Sequence, residues 1–153
     1  MNGFAPPVLA RLSQRKSTAL SLRLPWGCPL PRWLSALLQT YALCGAELFW
    51  QACPPEDDFD GRSYITLADP GRMAVESVEL TPGREILPLG FISIAADDDG
   101  IGDPYFIPLA EEDPPVYQVH HANDPEEHEI GPHQARLVAQ HLSDFLNMLA
   151  PAA

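Results

Sequence analysis

Positive charge is nearly absent from most of this 153-residue chain. After residue 46 only Arg62, Arg72, Arg84 and Arg136 stand against all 21 Asp and Glu residues, and the formal net charge is −12. Such a body repels nucleic acid and anionic membranes and attracts basic partners. Acid is missing from the other part: no Asp or Glu precedes Glu47, whereas Arg11, Arg15, Lys16, Arg23 and Arg32 all lie there. An acid-free, Arg- and Ser-containing start superficially resembles an organelle transit peptide. The reading adopted is a first helix whose basic face sits against the acidic body.

Other absences narrow the class further. No run of about 18 apolar residues occurs, which excludes a membrane-spanning helix, and no unbroken apolar block follows the basic start, which argues against a secretory signal. Cys28, Cys44 and Cys53 form no C-x-x-C pair and leave one over from any disulfide, so a cytoplasmic chain with small buried thiols is expected. Ser63, Ser93 and Ser143 lack a G-x-S-x-G context, and no glycine-rich phosphate loop ends in Lys-Ser or Lys-Thr. His128 and His133 are one residue too far apart for H-E-x-x-H, and Gly131-Pro132 breaks the helix that would aim both rings. His120 and His121 are adjacent on an expected strand and point to opposite faces. With Gly100 at the sixth position of a calcium loop, Ala95 and Phe106 fall at the first and twelfth, where ligands are needed. A pair of carboxylates for acid–base work can be chosen from 21 almost at will and carries no weight. The chain is therefore read as a non-enzyme with no cofactor and no metal.

What is present is a hairpin. Leu87–Leu109 reads as an apolar run, a turn of aspartates and glycines, and a second apolar run. Alternation puts Ile92, Ile94 and Ala96 on one face and Phe91, Ser93 and Ala95 on the other; after the turn Tyr105, Ile107 and Leu109 oppose Phe106. Gly100 and Gly102 supply the positive φ that a tight turn uses. Pro108 cannot donate to a ladder and belongs at an edge, a strand end or a bulge.

In chain order, Pro6-Pro7 opens an expected helix over Val8, Leu9, Leu12 and Leu20, ending before Pro25-Trp26-Gly27. Pro31 begins a second, with Trp33, Leu34, Leu37, Leu38 and Tyr41 on one face and Gly45 as its terminator. Residues 47–53 and 64–67 read as strands flanking an acidic loop. Asp69-Pro70 caps a helix to about Leu80, weakened by Gly71, Val75 and Val78. Residues 116–121 read as a further strand of a meander, and a last helix is expected from Pro132 or His133 to Leu149. The length fits one domain over 1–153, burying about two-thirds of its unfolded surface, with 1–5 and 150–153 frayed. The fold class is α+β: a central antiparallel sheet meander packed against N-terminal and C-terminal helices.

Four pieces in order carry a family resemblance: Leu30-Pro31 before the Trp33–Tyr41 helix and Gly45; Leu87–Ala95 with the acidic glycine turn into Asp103-Pro104-Tyr105-Phe106; Pro115-Val116-Tyr117 with His120 or His121; and Leu142-Ser143-Asp144-Phe145-Leu146. Over residues 28–149 the chain resembles the SUKH superfamily, which groups fungal cell-wall synthesis regulators with bacterial Syd-type proteins and many toxin-immunity proteins. Residues 54–86 match its pattern at no firm point. The resemblance implies a SUKH-like domain that binds another protein, most commonly a cognate toxin encoded next to it, and performs no chemistry. The surface expected to meet that partner is an acidic rim of Asp97, Asp98, Asp99, Asp103, Glu111, Glu112 and Asp113, helped by loops 54–60 and 124–129. A regulatory or scaffolding domain without a toxin is the alternative, and a metal-dependent hydrolase the third reading.

Overall fold

The computed structural model describes residues 31–40, 44–80, 82–98, 103–119 and 135–152. The expected first helix, Asp99 with the glycines of the hairpin turn, the side chains of Leu38 and Tyr41, and His120, His121, His128 and His133 lie outside them. Seven strands form one antiparallel sheet: β1 (Glu47–Gln51), β2 (Arg62–Leu67), β3 (Phe91–Asp97), β4 (Tyr105–Pro108), β5 (Val116–Val119), β6 (Ala135–Ala139) and β7 (Ala150–Pro151). Their spatial order is β6-β5-β4-β3-β2-β1-β7. Strands β1 to β6 are thus a meander in chain order, following the tendency of consecutive strands to lie side by side. The chain end expected to fray instead supplies β7, whose Ala150 and Pro151 pair with Phe49 and Leu48 at the β1 edge.

The sheet is curled. Arg136 on β6 lies with its guanidinium 5.6 Å from the centre of the Trp50 ring on β1. In a flat sheet those strands, five spacings apart, would be about 24 Å from one another. The inner face carries Leu48, Trp50, Ile65, Leu67, Ile92, Tyr105, Ile107 and Val116, all buried. It is covered by α1 (Arg32–Thr40) through Leu34 and Leu37, by Met73 of α2 (Pro70–Ala74), and by α4 (Leu142–Met148) through Leu142, Phe145 and Leu146. A smaller cluster of Ile86, Phe106 and Val119 lies on the outer face beneath α3 (Gly83–Ile86), with Phe91 and Tyr117 edge to face at 5.9 Å.

The expected hairpin is present, with Phe91 opposite Pro108, Ile92 opposite Ile107 and Ser93 opposite Phe106. Its alternation breaks at a bulge between Ser93 and Ala95. Beyond the bulge Ala95 joins Ile92 and Ile94 on the inner face, and Ala96, expected beside them, turns outward opposite Thr66. An extra residue on one strand inverts the side-chain parity of everything after it. Leu87–Leu89, read as the start of the first apolar run, is a 3-10 turn that feeds β3.

Asp69 caps α2 as expected, its Oδ1 accepting from the Arg72 amide at 2.7 Å. The helix then widens into π geometry over Val75–Glu79, the stretch with the β-branched residues. There β2 has ended, and the Ser77 hydroxyl accepts from the Ser93 amide at 3.0 Å, satisfying a strand donor that has lost its neighbour. Gly83 is required by close packing: a Cβ there would stand 1.8 Å from the Glu76 carbonyl oxygen.

The last helix is shorter than expected. Residues 135–139 are strand β6, and α4 begins only at Leu142. Arg136, Leu137, Val138 and Ala139 are compatible with a helix, and Leu137 and Val138 continue the apolar spacing of Leu142 and Phe145. The open ladder of β5 outweighs that local preference by pairing Val116–Val119 with Ala139–Ala135. No capping side chain of its own starts α4. Asp113, from the β4–β5 connection, does so from a distance: its carboxylate accepts from the Ser143 amide at 2.7 Å and the Ser143 hydroxyl at 2.6 Å. Asp113 adopts φ of 51° to reach them, a left-handed conformation that Asp tolerates better than most residues. D113A is expected to lower the free energy of unfolding by about 1–2 kcal/mol, read from the urea midpoint. An unchanged midpoint would show that α4 holds without this cap.

Candidate partner-binding surface

In an antiparallel meander alternate connections emerge at the same end of the sheet. The β1–β2 connection (52–61) and the β3–β4 connection (98–104) therefore share one end, and the β2–β3 and β4–β5 connections share the other. The first end holds Glu56, Asp57, Asp58 and Asp60 on one loop and Asp97, Asp98 and Asp103 around the second, with no Lys or Arg in either connection. The expected rim thus divides. Glu111 and Glu112 are exposed at the opposite end, and Asp113 beside them is engaged in holding α4. Asp99 lies outside the described residues. Residues 120–134, which hold the expected acidic loop 124–129 and contain no Lys or Arg, lie outside the described residues.

The β1–β2 loop is fixed by its own backbone. Glu56 and Phe59 exchange amide-to-carbonyl bonds of 2.7 and 3.1 Å around Asp57-Asp58. The Gly61 carbonyl accepts from Ala52 at 2.9 Å and Cys53 at 3.1 Å. Gly61 takes φ of +73°, and a Cβ on it would stand 2.1 Å from the Cys53 carbonyl oxygen, so glycine closes this loop. Gln51 Nε2 donates to the carbonyls of Cys53 and Asp60, both at 2.8 Å.

Asp60 is a structural member of the loop. Its Oδ1 accepts from the Arg62 amide at 2.9 Å and its Oδ2 from the Tyr64 hydroxyl at 2.8 Å. These donors, the Arg62 amide first, hold its carboxyl below the usual aspartate range. The stabilisation from a lowered pKa is complete above the ordinary value and is lost as pH falls through the lowered one. The Asp60 carboxyl carbon is expected to titrate below the usual aspartate range in an NMR pH series, and titration within that range would remove this role. On the outer face the Arg62 guanidinium covers Phe49 at 4.2 Å, and Phe49 lies 5.8 Å from Tyr64. Asp98 is tied in too, accepting from the Thr66 hydroxyl at 2.6 Å while its amide donates to the Tyr64 carbonyl.

On the inner face the same end is closed by a polar cluster. Trp50 Nε1 donates to the Tyr105 hydroxyl at 3.0 Å, and that hydroxyl is 3.0 Å from Ser63 Oγ. Gln118 Nε2 donates to the Asp103 carbonyl at 3.2 Å. The carboxylates of Glu56, Asp57 and Asp58 project from the fixed loop, and beside them Phe59, which sequence reasoning passed over, is 52% exposed. Its only sequence signal is an aromatic residue inside an otherwise acidic loop. Cys44 is half-buried, and burial, reinforced by Asp69, pushes its thiol above the usual cysteine range.

Among the described residues no three His, Cys, Asp or Glu side chains are grouped as a metal ion would need. No described helix is long and apolar enough to cross a membrane. The chain matches none of the protein-family models, curated proteins or solved structures with which it was compared.

Proposed function

We propose that this chain is a SUKH-like protein-binding domain acting as an immunity protein, which holds a co-encoded toxin inactive by covering its basic cleft. The observation that carries the reading is the convergence of the β1–β2 and β3–β4 connections, both acidic and both without Lys or Arg, at one end of the curled sheet. Carboxylates there take the place of the substrate phosphates that a nucleic-acid-cleaving toxin would bind, and long-range attraction speeds the encounter. The interface proposed here is narrower than the sequence-based rim: Glu111, Glu112 and Asp113 are on the far side of the sheet and play no direct part.

Mixing the purified protein with the purified product of the neighbouring gene is expected to give a complex whose association slows as salt rises. No complex with that product would count against the proposal, and binding without salt dependence would count against its electrostatic mechanism.

A further inference from the structure

We infer that Phe59 is the apolar anchor of this interface and that its partner offers a phenyl-sized pocket edged by Lys or Arg; the inference rests on the protein-binding reading above. Interfaces draw most of their affinity from a few buried aromatic or arginine contacts, while rim charges set approach and register. Among the described residues Phe59 is the one large exposed apolar side chain carried on the acidic connections themselves. Val78, Leu80 and Leu89 lie on the β2–β3 connection at the other end, Leu137 on the outer face of β6, and Met148 at the end of α4 that leads into β7, less exposed than Phe59 and outside the acidic loops.

Two independent features suit Phe59 to anchoring. The ring is carried on a turn already fixed by the paired Glu56 and Phe59 amides and by the Gly61 closure, so little ordering accompanies binding. Beside the ring, between it and Glu56, Asp57 and Asp58, is an open concavity of about 480 Å³. A cationic side chain of the partner entering it meets both carboxylates and an aromatic face, a combination that favours guanidinium or ammonium over neutral groups. The partner's pocket takes the ring, and the partner's cation takes the concavity.

The test uses the full chain and the purified neighbouring-gene product. F59A is expected to weaken the complex by about 30-fold or more, the scale of a hot-spot truncation, chiefly through faster dissociation. F59W, which keeps a ring on the turn, is expected to retain most of the affinity. Because the side chain is exposed, both variants should melt with the wild type; a shift in F59A leaves F59W against F59S at matched stability as the deciding pair. If the wild type binds and truncation at 59 changes affinity by less than about threefold, the anchor is elsewhere and this inference is overturned while the immunity reading stands. If the wild type does not bind, the immunity reading fails and the inference goes with it.

Discussion

Neutralising Glu56, Asp57 and Asp58 together (E56Q/D57N/D58N) is expected to slow association with the basic partner about tenfold or more at low salt and to flatten its salt dependence. These carboxylates are exposed on a loop whose shape is set by backbone bonds and Gly61, so the amides should leave the fold intact. E111Q/E112Q removes two charges, against three, from the opposite end. With strands of four to seven residues the two ends are roughly 15–20 Å apart, beyond the screening length of about 8 Å at physiological ionic strength. That double variant is expected to change the association rate by less than about twofold. Equal slowing by both variants, measured by stopped flow across a salt series, would mean that net charge rather than its placement steers the encounter.

The largest expected loss of stability follows F145A. Phe145 is completely buried in α4 and stacks on Tyr105 with ring centres 5.7 Å apart. Truncating such a residue costs about 3–5 kcal/mol, a large part of the roughly 5–15 kcal/mol that holds a domain folded. The consequence extends past the cavity. Tyr105 places the hydroxyl that satisfies Trp50 Nε1 and meets Ser63, and Trp50 in turn carries Arg136 from the far strand of the curl. A mobile Tyr105 therefore loosens the acidic end from within. Y105F separates the two effects: the ring stays, but the buried indole N–H loses its partner at a cost of about 1–3 kcal/mol. Thermal and urea unfolding give both values, and a loss below about 1 kcal/mol for F145A would mean that α4 does not plug the core as described.

Where local chemistry acts within a few residues, the sequence was sufficient. Asp69 before Pro70 announced a capped helix, and the β-branched residues after it marked where its regular geometry gave way. Apolar runs on either side of an Asp/Gly turn announced β3 and β4. Positions 33, 34 and 37 announced the buried stripe of α1. Errors arose where a distant partner decided. Residues 135–139 carry helix-compatible side chains, yet β5 supplied hydrogen-bond partners that no local pattern encodes. The bulge at Ser93/Ala95 reversed the facing of Ala95 and Ala96, and an extra residue in a ladder shows only in the pairing with β4, not in the periodicity of β3 alone. The capping of α4 by Asp113, about thirty residues earlier in the chain, was likewise invisible to local pattern, which showed Asp113 only as one of the rim acids.

By itself the sequence determined the α+β class, the hairpin, the acidic body and the loops in which the acids fall, since each follows from composition and from side-chain periodicity over short windows. Only the tertiary structure decided which of those loops stand together. Sheet order sends alternate connections to opposite ends, so carboxylates adjacent in the sequence-based rim are separated by the length of a strand. Others, far apart in the chain, are brought to the same end of the sheet, the end that carries Phe59.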